Sequence, residues 1–249
     1  MTEAGGRRGY QDIAWTIRER INRRDLRPGD KIPSLNDLRE DYGVSYPTAQ
    51  AALALLKSWG LVQAEPGKGT FVLERRPVIN MMTSMTIPTG GKRKTWREIC
   101  AEYGMQGTQR VTGAGRDPVP ADVADAFGAE SDVRLPWRRR LLLADDKPIQ
   151  ISTSWYAEEV ASAVPGLDLP ERLPANSPEL MAHAGFEIVG GSDLGYARGA
   201  SDGEAALLRV RPGAHVSDVL RTCRSASGDV VSVERMVSDG ESLRHEWRF

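Results

Sequence analysis

The chain has 249 residues, long for one ordinary domain and comfortable for two. Apolar residues make up 40% and charged residues 27%, which supports real cores and excludes a disordered or fibrous class. The net charge of −1 hides an asymmetry: residues 1–76 carry 13 Lys and Arg against 10 Asp and Glu, and the remainder 20 against 24. A mildly basic first third on an acidic rest fits a nucleic-acid module joined to a domain that does not touch nucleic acid. No run of about 18 apolar residues exists to span a membrane, and the polar N-terminus lacks a signal core. Cys100 and Cys223 stand far apart, with no CxxC pair or metal spacing. The expectation is a cytoplasmic protein with no metal and no cofactor.

The first predicted helix runs over Tyr10–Asn22, with Tyr10, Ile13, Ala14, Ile17 and Ile21 recurring at three- and four-residue steps to make one buried stripe. Pro28-Gly29 breaks it. Ser34 is a good N-cap for a second helix, with Asp37 three residues on in an approximate capping box. That helix packs through Leu35, Leu38 and Tyr42, Gly43 makes the sharp turn, and Val44 returns to the core. Ser45 caps a third helix that Pro47 can start, with Ala49, Ala52, Leu53 and Leu56 inward and Gly60 as its terminator. Leu61-Val-Gln-Ala and Thr70-Phe-Val-Leu, around Glu65-Pro-Gly-Lys-Gly, read as a hairpin with Lys68 at its tip.

Two helices and a hairpin in this order and spacing make a winged helix-turn-helix, so the partner is duplex DNA. The outward first turn of the third helix would enter the major groove, and the hairpin is the wing. The residues pointed at DNA are Lys31, Ser34, Asn36, Arg39, Ser45, Tyr46, Thr48, Gln50, Lys68 and Gly69.

The Pro-Gly lead-in, the Gly-Val-Ser turn and the Gly-Lys-Gly-Thr-Phe-Val wing together resemble the N-terminal domain of the GntR family of bacterial transcription regulators, over nearly all of Tyr10–Val72. That family usually carries cations where this chain has Asn36, Tyr46 and Gln50. The resemblance implies that those arginines contact phosphates and a guanine. Gln prefers adenine, so a different operator and a shallower salt dependence are expected, unless Lys31, Arg39 or Lys68 compensates.

Residues 77–93 read as a linker, with Pro77, Pro88 and Gly90-Gly91 as breaks and mobility expected at Thr89-Gly-Gly. Met81, Met82 and Met85 read as packing residues, and Lys92-Arg93-Lys94 as a solvated turn. Residues 94–249 alternate. Trp96, Ile99, Cys100 and Tyr103 define a short helix, Thr108–Thr112 a strand and Pro120–Phe127 a helix. Val133–Ala144 and Ile149–Trp155 are strands joined at Asp145-Asp146-Lys147. Helices are expected at Glu158–Ala163, Ser177–Ala184 and Asp202–Leu208. Further strands are expected at Phe186–Arg198, His215–Arg224, Val230–Ser238 and Leu243–Trp247. Hairpin-connected strands with interspersed helices give an α+β domain on an antiparallel sheet.

The Arg-rich strand with Ile149-Gln-Ile-Ser-Thr-Ser-Trp-Tyr, Tyr196-Ala-Arg, Glu204-Ala-Ala-Leu-Leu, Arg211-Pro-Gly-Ala-His-Val and Val231-Ser-Val-Glu resemble the effector domain of the HutC branch, whose fold is similar to chorismate lyase. The likeness covers about Lys94–Phe249. It implies a small-molecule effector on the sheet, with Arg140 and Glu234 reaching it, and a lost acid at Gln150. Period-two alternation puts Arg138, Arg140 and Leu142 on one face. Arg138 and Arg140 together offer a bidentate site for a phosphate or carboxylate, so an anionic effector is expected; the alternative is a solvated face or ion pairs with Glu204 or Glu234. The candidate effector residues are Arg138, Arg140, Gln150, Ser152, Tyr196, Arg198 and Glu234. His183, His215 and His245 are isolated and read as structural.

The leading function is a DNA-binding transcription regulator, a repressor in expectation, whose operator affinity a small molecule modulates. Members of the family dimerise through the effector domain, which implies a homodimer on a palindromic duplex. The competing readings are a ligand-independent plasmid maintenance or transfer repressor and a lyase-like enzyme fused to a DNA-binding domain. No nucleophile–base pair stands out, so no enzymatic activity is expected.

Overall fold

The structure, a computed structural model, describes residues 9–73, 78–81, 85–86, 93–130, 132–240 and 242–246. It divides into two compact units, Met1–Arg76 and Pro77–Phe249.

The first unit holds α1 (Tyr10–Asn22), α2 (Leu35–Tyr42), α3 (Tyr46–Ser58) and a hairpin of β1 (Val62–Glu65) and β2 (Gly69–Val72). Ile13, Ala14, Ile17, Leu38, Ala49, Ala52 and Leu56 are fully buried in its core. Tyr10 departs from the expected stripe and is 41% exposed. The core begins one turn later, at Ile13. Ser34 and Asp37 form both halves of a capping box on α2, and Gly43 closes that helix at φ 63°. α3 ends in a Schellman arrangement: Gly60 N–H donates to the Lys57 carbonyl and Leu61 N–H to that of Leu56. Asp30, Lys31 and Ile32 run along β2, with Ile32 N–H donating to Thr70 and Val72 N–H to Asp30. The Pro-Gly segment thus adds a third short run to the wing.

The second unit is built on a six-stranded antiparallel sheet in the order β4-β5-β6-β9-β8-β7. Its strands are β4 (Gly107–Pro118), β5 (Arg134–Ala144), β6 (Lys147–Tyr156), β7 (Gly190–Gly199), β8 (His215–Arg224) and β9 (Val230–Asp239). The helices are α4 (Trp96–Ala101), α5 (Ala121–Phe127), α6 (Glu158–Ala163), α7 (Ser177–His183) and α8 (Asp202–Leu208). One face packs against α6 and α7 through Tyr156, Val160, Met181 and Cys223, and toward its end against α4 through Trp96, Ile99 and Leu142. The other face packs against α5 through Val123, Trp155 and Val233, and against α8 through Leu141, Ile151, Leu208 and Val237.

Three elements differ from the sequence expectation. β4 is far longer than Thr108–Thr112, because Gly113 and Gly115 do not break it. A side chain at Gly113 would come within 2.8 Å of the Trp137 ring, so this glycine makes room for the cross-strand indole. β7 begins at Gly190 rather than Phe186, because Phe186 and Ile188 turn into the core beside α7. Within the span read as a linker, β3 (Val78–Met81) pairs in parallel with β10 (Leu243–Glu246). Chain ends so distant in sequence pair only through tertiary folding, which no local pattern records. Thr89-Gly90-Gly91, Met82, Lys92 and Trp247 lie outside the described residues. Of the three methionines, Met85 packs on the α4 cluster. Arg93, expected in a solvated turn, instead donates to the Thr86 carbonyl and pairs with Glu187.

Candidate functional site

In the first unit the residues pointed at DNA gather around α2, the first turn of α3 and the wing. Asn36, Arg39, Tyr46 and Gln50 are exposed on the two helices, and Lys68 at the hairpin tip. Tyr46 is 48% exposed, a large value for an aromatic ring with no core role. Ser34 and Ser45 both act as caps. Asp37 N–H donates to Ser34 Oγ at 3.3 Å, and Thr48 N–H to Ser45 Oγ at 3.4 Å, while the Ser45 and Thr48 hydroxyls bond at 2.8 Å. Lys68 pairs with Glu65 at 3.3 Å, an exposed pair of small energetic weight. Lys31 lies across Gly69: a side chain added there would collide with Lys31 Cε, and Gly69 also holds φ at 129°. The glycine therefore lets the lysine stem cross the wing.

In the second unit a cavity opens over the sheet face covered by α7. With its mouth it takes in about 660 Å³. Its floor is Arg140 and Leu142 of β5, Gln150, Ser152, Ser154 and Tyr156 of β6, Ser232, Glu234 and Met236 of β9, and Arg221 and Cys223 of β8. Strand register brings these together: Arg140 faces Ser152, Ser154 faces Glu234, and Glu234 faces Arg221. Asn176, Ser177, Pro178, Met181 and Ile188 form one wall, with Met85 and Thr86 also in the lining.

A polar cluster occupies the floor. Arg140 Nη2 donates to Ser152 Oγ at 2.9 Å, Ser154 Oγ at 3.1 Å and Glu234 Oε1 at 2.8 Å. Ser152 and Ser154 also donate to that same carboxylate oxygen. Arg140 Nε is buried with no acceptor among the described residues. Arg221 is 5% exposed, and each of its three nitrogens is engaged: Nε and Nη2 reach Asp193 at 2.7 Å each, and Nη1 donates to Thr86 Oγ1 at 2.9 Å. Burial opposes its charge, but the Asp193 bonds outweigh it and hold the guanidinium above its usual value. Burial, helped by the Glu234 charge, pushes the Cys223 thiol up to about 12, so it stays protonated and unreactive at neutral pH.

Four of the seven expected effector residues meet here: Arg140, Gln150, Ser152 and Glu234. The other three do not. Arg138 shares the strand face but is 3% exposed and donates to the carbonyls of Gly166, Leu169 and Glu171, tying down the loop after α6. The Arg138/Arg140 anion clamp is therefore not formed. Tyr196 and Arg198 lie on the opposite face, because their register partners are Asp218 and Val216. There Arg198 binds Glu204 at 2.6 and 2.7 Å and Asp218 at 2.8 Å, and Tyr196 donates to Asp218. The sequence reading missed Ser154, Tyr156, Arg221, Cys223 and Ser232. Ser154 and Tyr156 follow Ser152 at period two and were legible; Arg221 required the register of β8.

Comparison with known proteins decides the identity of both units. Residues 9–72 match the family model described as bacterial regulatory proteins, gntR family, and residues 102–244 match the UTRA domain. The chain belongs to the GntR family and carries a UTRA domain. It is a DNA-binding transcription regulator with an effector-binding domain. It is 27% identical over 253 residues to an HTH-type transcriptional regulator of Streptomyces coelicolor, covering 96% of this chain and 91% of that one. The mannosyl-D-glycerate transport/metabolism system repressor MngR of Escherichia coli is 40% identical over 67 residues, 27% of this chain and 28% of that one. The fold is similar to the crystal structure of PhnF from Mycobacterium smegmatis, with TM-score 0.60 at 16% identity, over 95% of this chain and 98% of that one. Among the described residues of this regulator, no helix is long and apolar enough to cross a membrane, and no group of three His, Cys, Asp or Glu is set to hold a metal ion.

Proposed function

We propose that this GntR regulator is a cytoplasmic repressor of the HutC branch, working as a homodimer on a palindromic operator and answering to a small molecule in the cavity over its sheet. The observation that carries the reading is the hollow floor around Arg140 and Glu234, beside Met85 and Thr86. Those two residues belong to the stretch of chain that leads from the DNA-binding unit into the sheet. A ligand that binds two conformations of this wall unequally shifts the operator affinity by that difference and no more.

The DNA contacts we assign are Lys31, Asn36, Arg39, Tyr46, Thr48, Gln50, Lys68 and the Gly69 amide, with Ser34 and Ser45 holding the helix starts. Gln50 is set to read adenine in place of the family's guanine. The second unit binds its ligand rather than turning it over: its one cavity thiol is protonated and its cavity carboxylate is held by Arg140. A ligand-independent repressor would have this floor filled, as the Arg138 end is.

The test is operator selection from random duplexes, followed by titration of the selected site. Tight binding to a palindrome with adenine opposite Gln50 is expected. Binding to no duplex, or selection of guanine at that position, overturns the DNA assignment.

A further inference from the structure

We propose that Glu234 fixes the charge of the effector: by neutralising Arg140 it bars anions from the cavity and selects a molecule of zero net charge. The inference rests on the cavity being the effector site, and it gives that site a ligand class. It departs from the anionic effector expected from the Arg-rich strand.

Among the described residues, each cation lining the cavity already has its own carboxylate. Arg221 is bound through two nitrogens by Asp193 and through the third by Thr86, and it is almost wholly buried. Its charge is matched by Asp193 before any ligand enters, and three of its five N–H donors are used in these contacts. Arg140 is bound by Glu234, and the two side chains are 13% and 19% exposed. A phosphate or carboxylate entering here meets Arg140 and Glu234 at the same range. Attraction and repulsion cancel, and the cost of stripping water from the anion is left without compensation.

What the pair does present is a donor beside an acceptor. Arg140 uses Nη2 for all three of its hydrogen bonds, so among the described residues its Nη1 donates none. Glu234 receives all three of its hydrogen bonds on Oε1, so among the described residues Oε2 accepts none. Adjacent hydroxyls, an amide, or the two ends of a zwitterion satisfy both without adding charge. Around this pair Leu142, Met181, Ile188 and Met236 offer apolar and thioether surface to the rest of the molecule. The class is a small neutral or zwitterionic compound, polar at one end and apolar at the other.

The experiment uses inorganic phosphate as the anion probe, with the full-length regulator followed by thermal melting and calorimetry. Sodium chloride at equal ionic strength is the control. The wild type is expected to show no saturable phosphate binding. Glu234→Gln frees Arg140 and is expected to bind phosphate with an apparent Kd at least tenfold lower than any wild-type value. The double variant R140Q/E234Q is expected to lose that gain. Saturable binding by the wild type that Arg140→Gln abolishes overturns the proposal, as does a folded E234Q that gains no affinity. If E234Q fails to fold, the wild type and R140Q decide alone. Operator affinity is measured in the same samples. Phosphate that binds E234Q without changing operator affinity leaves the charge assignment standing and removes the effector reading of the cavity.

Discussion

Arg138 and Arg140 sit two residues apart on one strand face, yet their surroundings give them opposite tasks. Arg138 faces the loop over residues 166–171 and saturates its carbonyls, with burial pulling its guanidinium below the usual value. Replacing it with Met removes the donor those three carbonyls share, so Arg138→Met should cost about 1–3 kcal/mol in urea unfolding. Arg140→Gln should cost less and act on ligand binding. A stable R138M that has lost its ligand response would reverse the two roles. On the other face, the Arg198 hydrogen bonds, with help from Ser201, hold the Glu204 carboxyl down to about 2. A depressed carboxylate stabilises the fold above its ordinary value of 4.5, and that stabilisation is lost as pH falls toward 2. Glu204→Gln should therefore be less stable at pH 7 by about 1–2 kcal/mol, partial exposure being discounted. The gap between wild type and variant should close between pH 5 and about 2. A gap that persists in acid would show that the loss is packing rather than charge.

At the scale of the element, the caps separate structure from recognition. Ser34 is expected both as the N-cap of α2 and at the DNA surface, and its hydroxyl accepts the Asp37 N–H and completes the capping box. Ser34→Ala should lower stability by about 1 kcal/mol. Operator affinity at a temperature where both proteins are folded should change far less. A large affinity loss without a stability loss would make Ser34 a phosphate contact. The helices of the first unit were readable because each carries its own start and stop: Ser34 and Gly43 for α2, Ser45 and Gly60 for α3. The strands were less so. Gly113 reads as a break until Trp137 is seen lying over it, and Phe186 reads as strand until the α7 core claims it. In both cases a partner distant in sequence overrides the local preference.

Across the whole second unit, the site depends on the order in which strands join the sheet. β6 lies beside β9, some eighty residues later, and β9 beside β8, so Ser154, Glu234 and Arg221 become neighbours on one face. Thr86 closes this row from the segment that precedes the sheet, as the acceptor for Arg221 Nη1. Thr86→Val keeps the shape and removes the acceptor, leaving one buried guanidinium donor unpaired. It should weaken the change in operator affinity that an effector causes, while leaving the affinity of the cavity for that effector within a fewfold. Equal losses in both would mean Thr86 serves binding alone.

The sequence by itself determined the first unit almost completely, because helix caps, turn glycines and a three-to-four-residue apolar period are local signals. It also determined the character of the second unit, an α+β domain with antiparallel strands, and that Arg138 and Arg140 share a face. Only the tertiary structure decided which polar residues meet. It took Tyr196 and Arg198 to the far side, engaged Arg138 with loop carbonyls, brought in Arg221 and Ser154, and set Glu234 against Arg140. The physical reason is that alternation fixes the face of each residue along its own strand, whereas strand order and register fix its neighbours. Those come from packing between segments far apart in the chain.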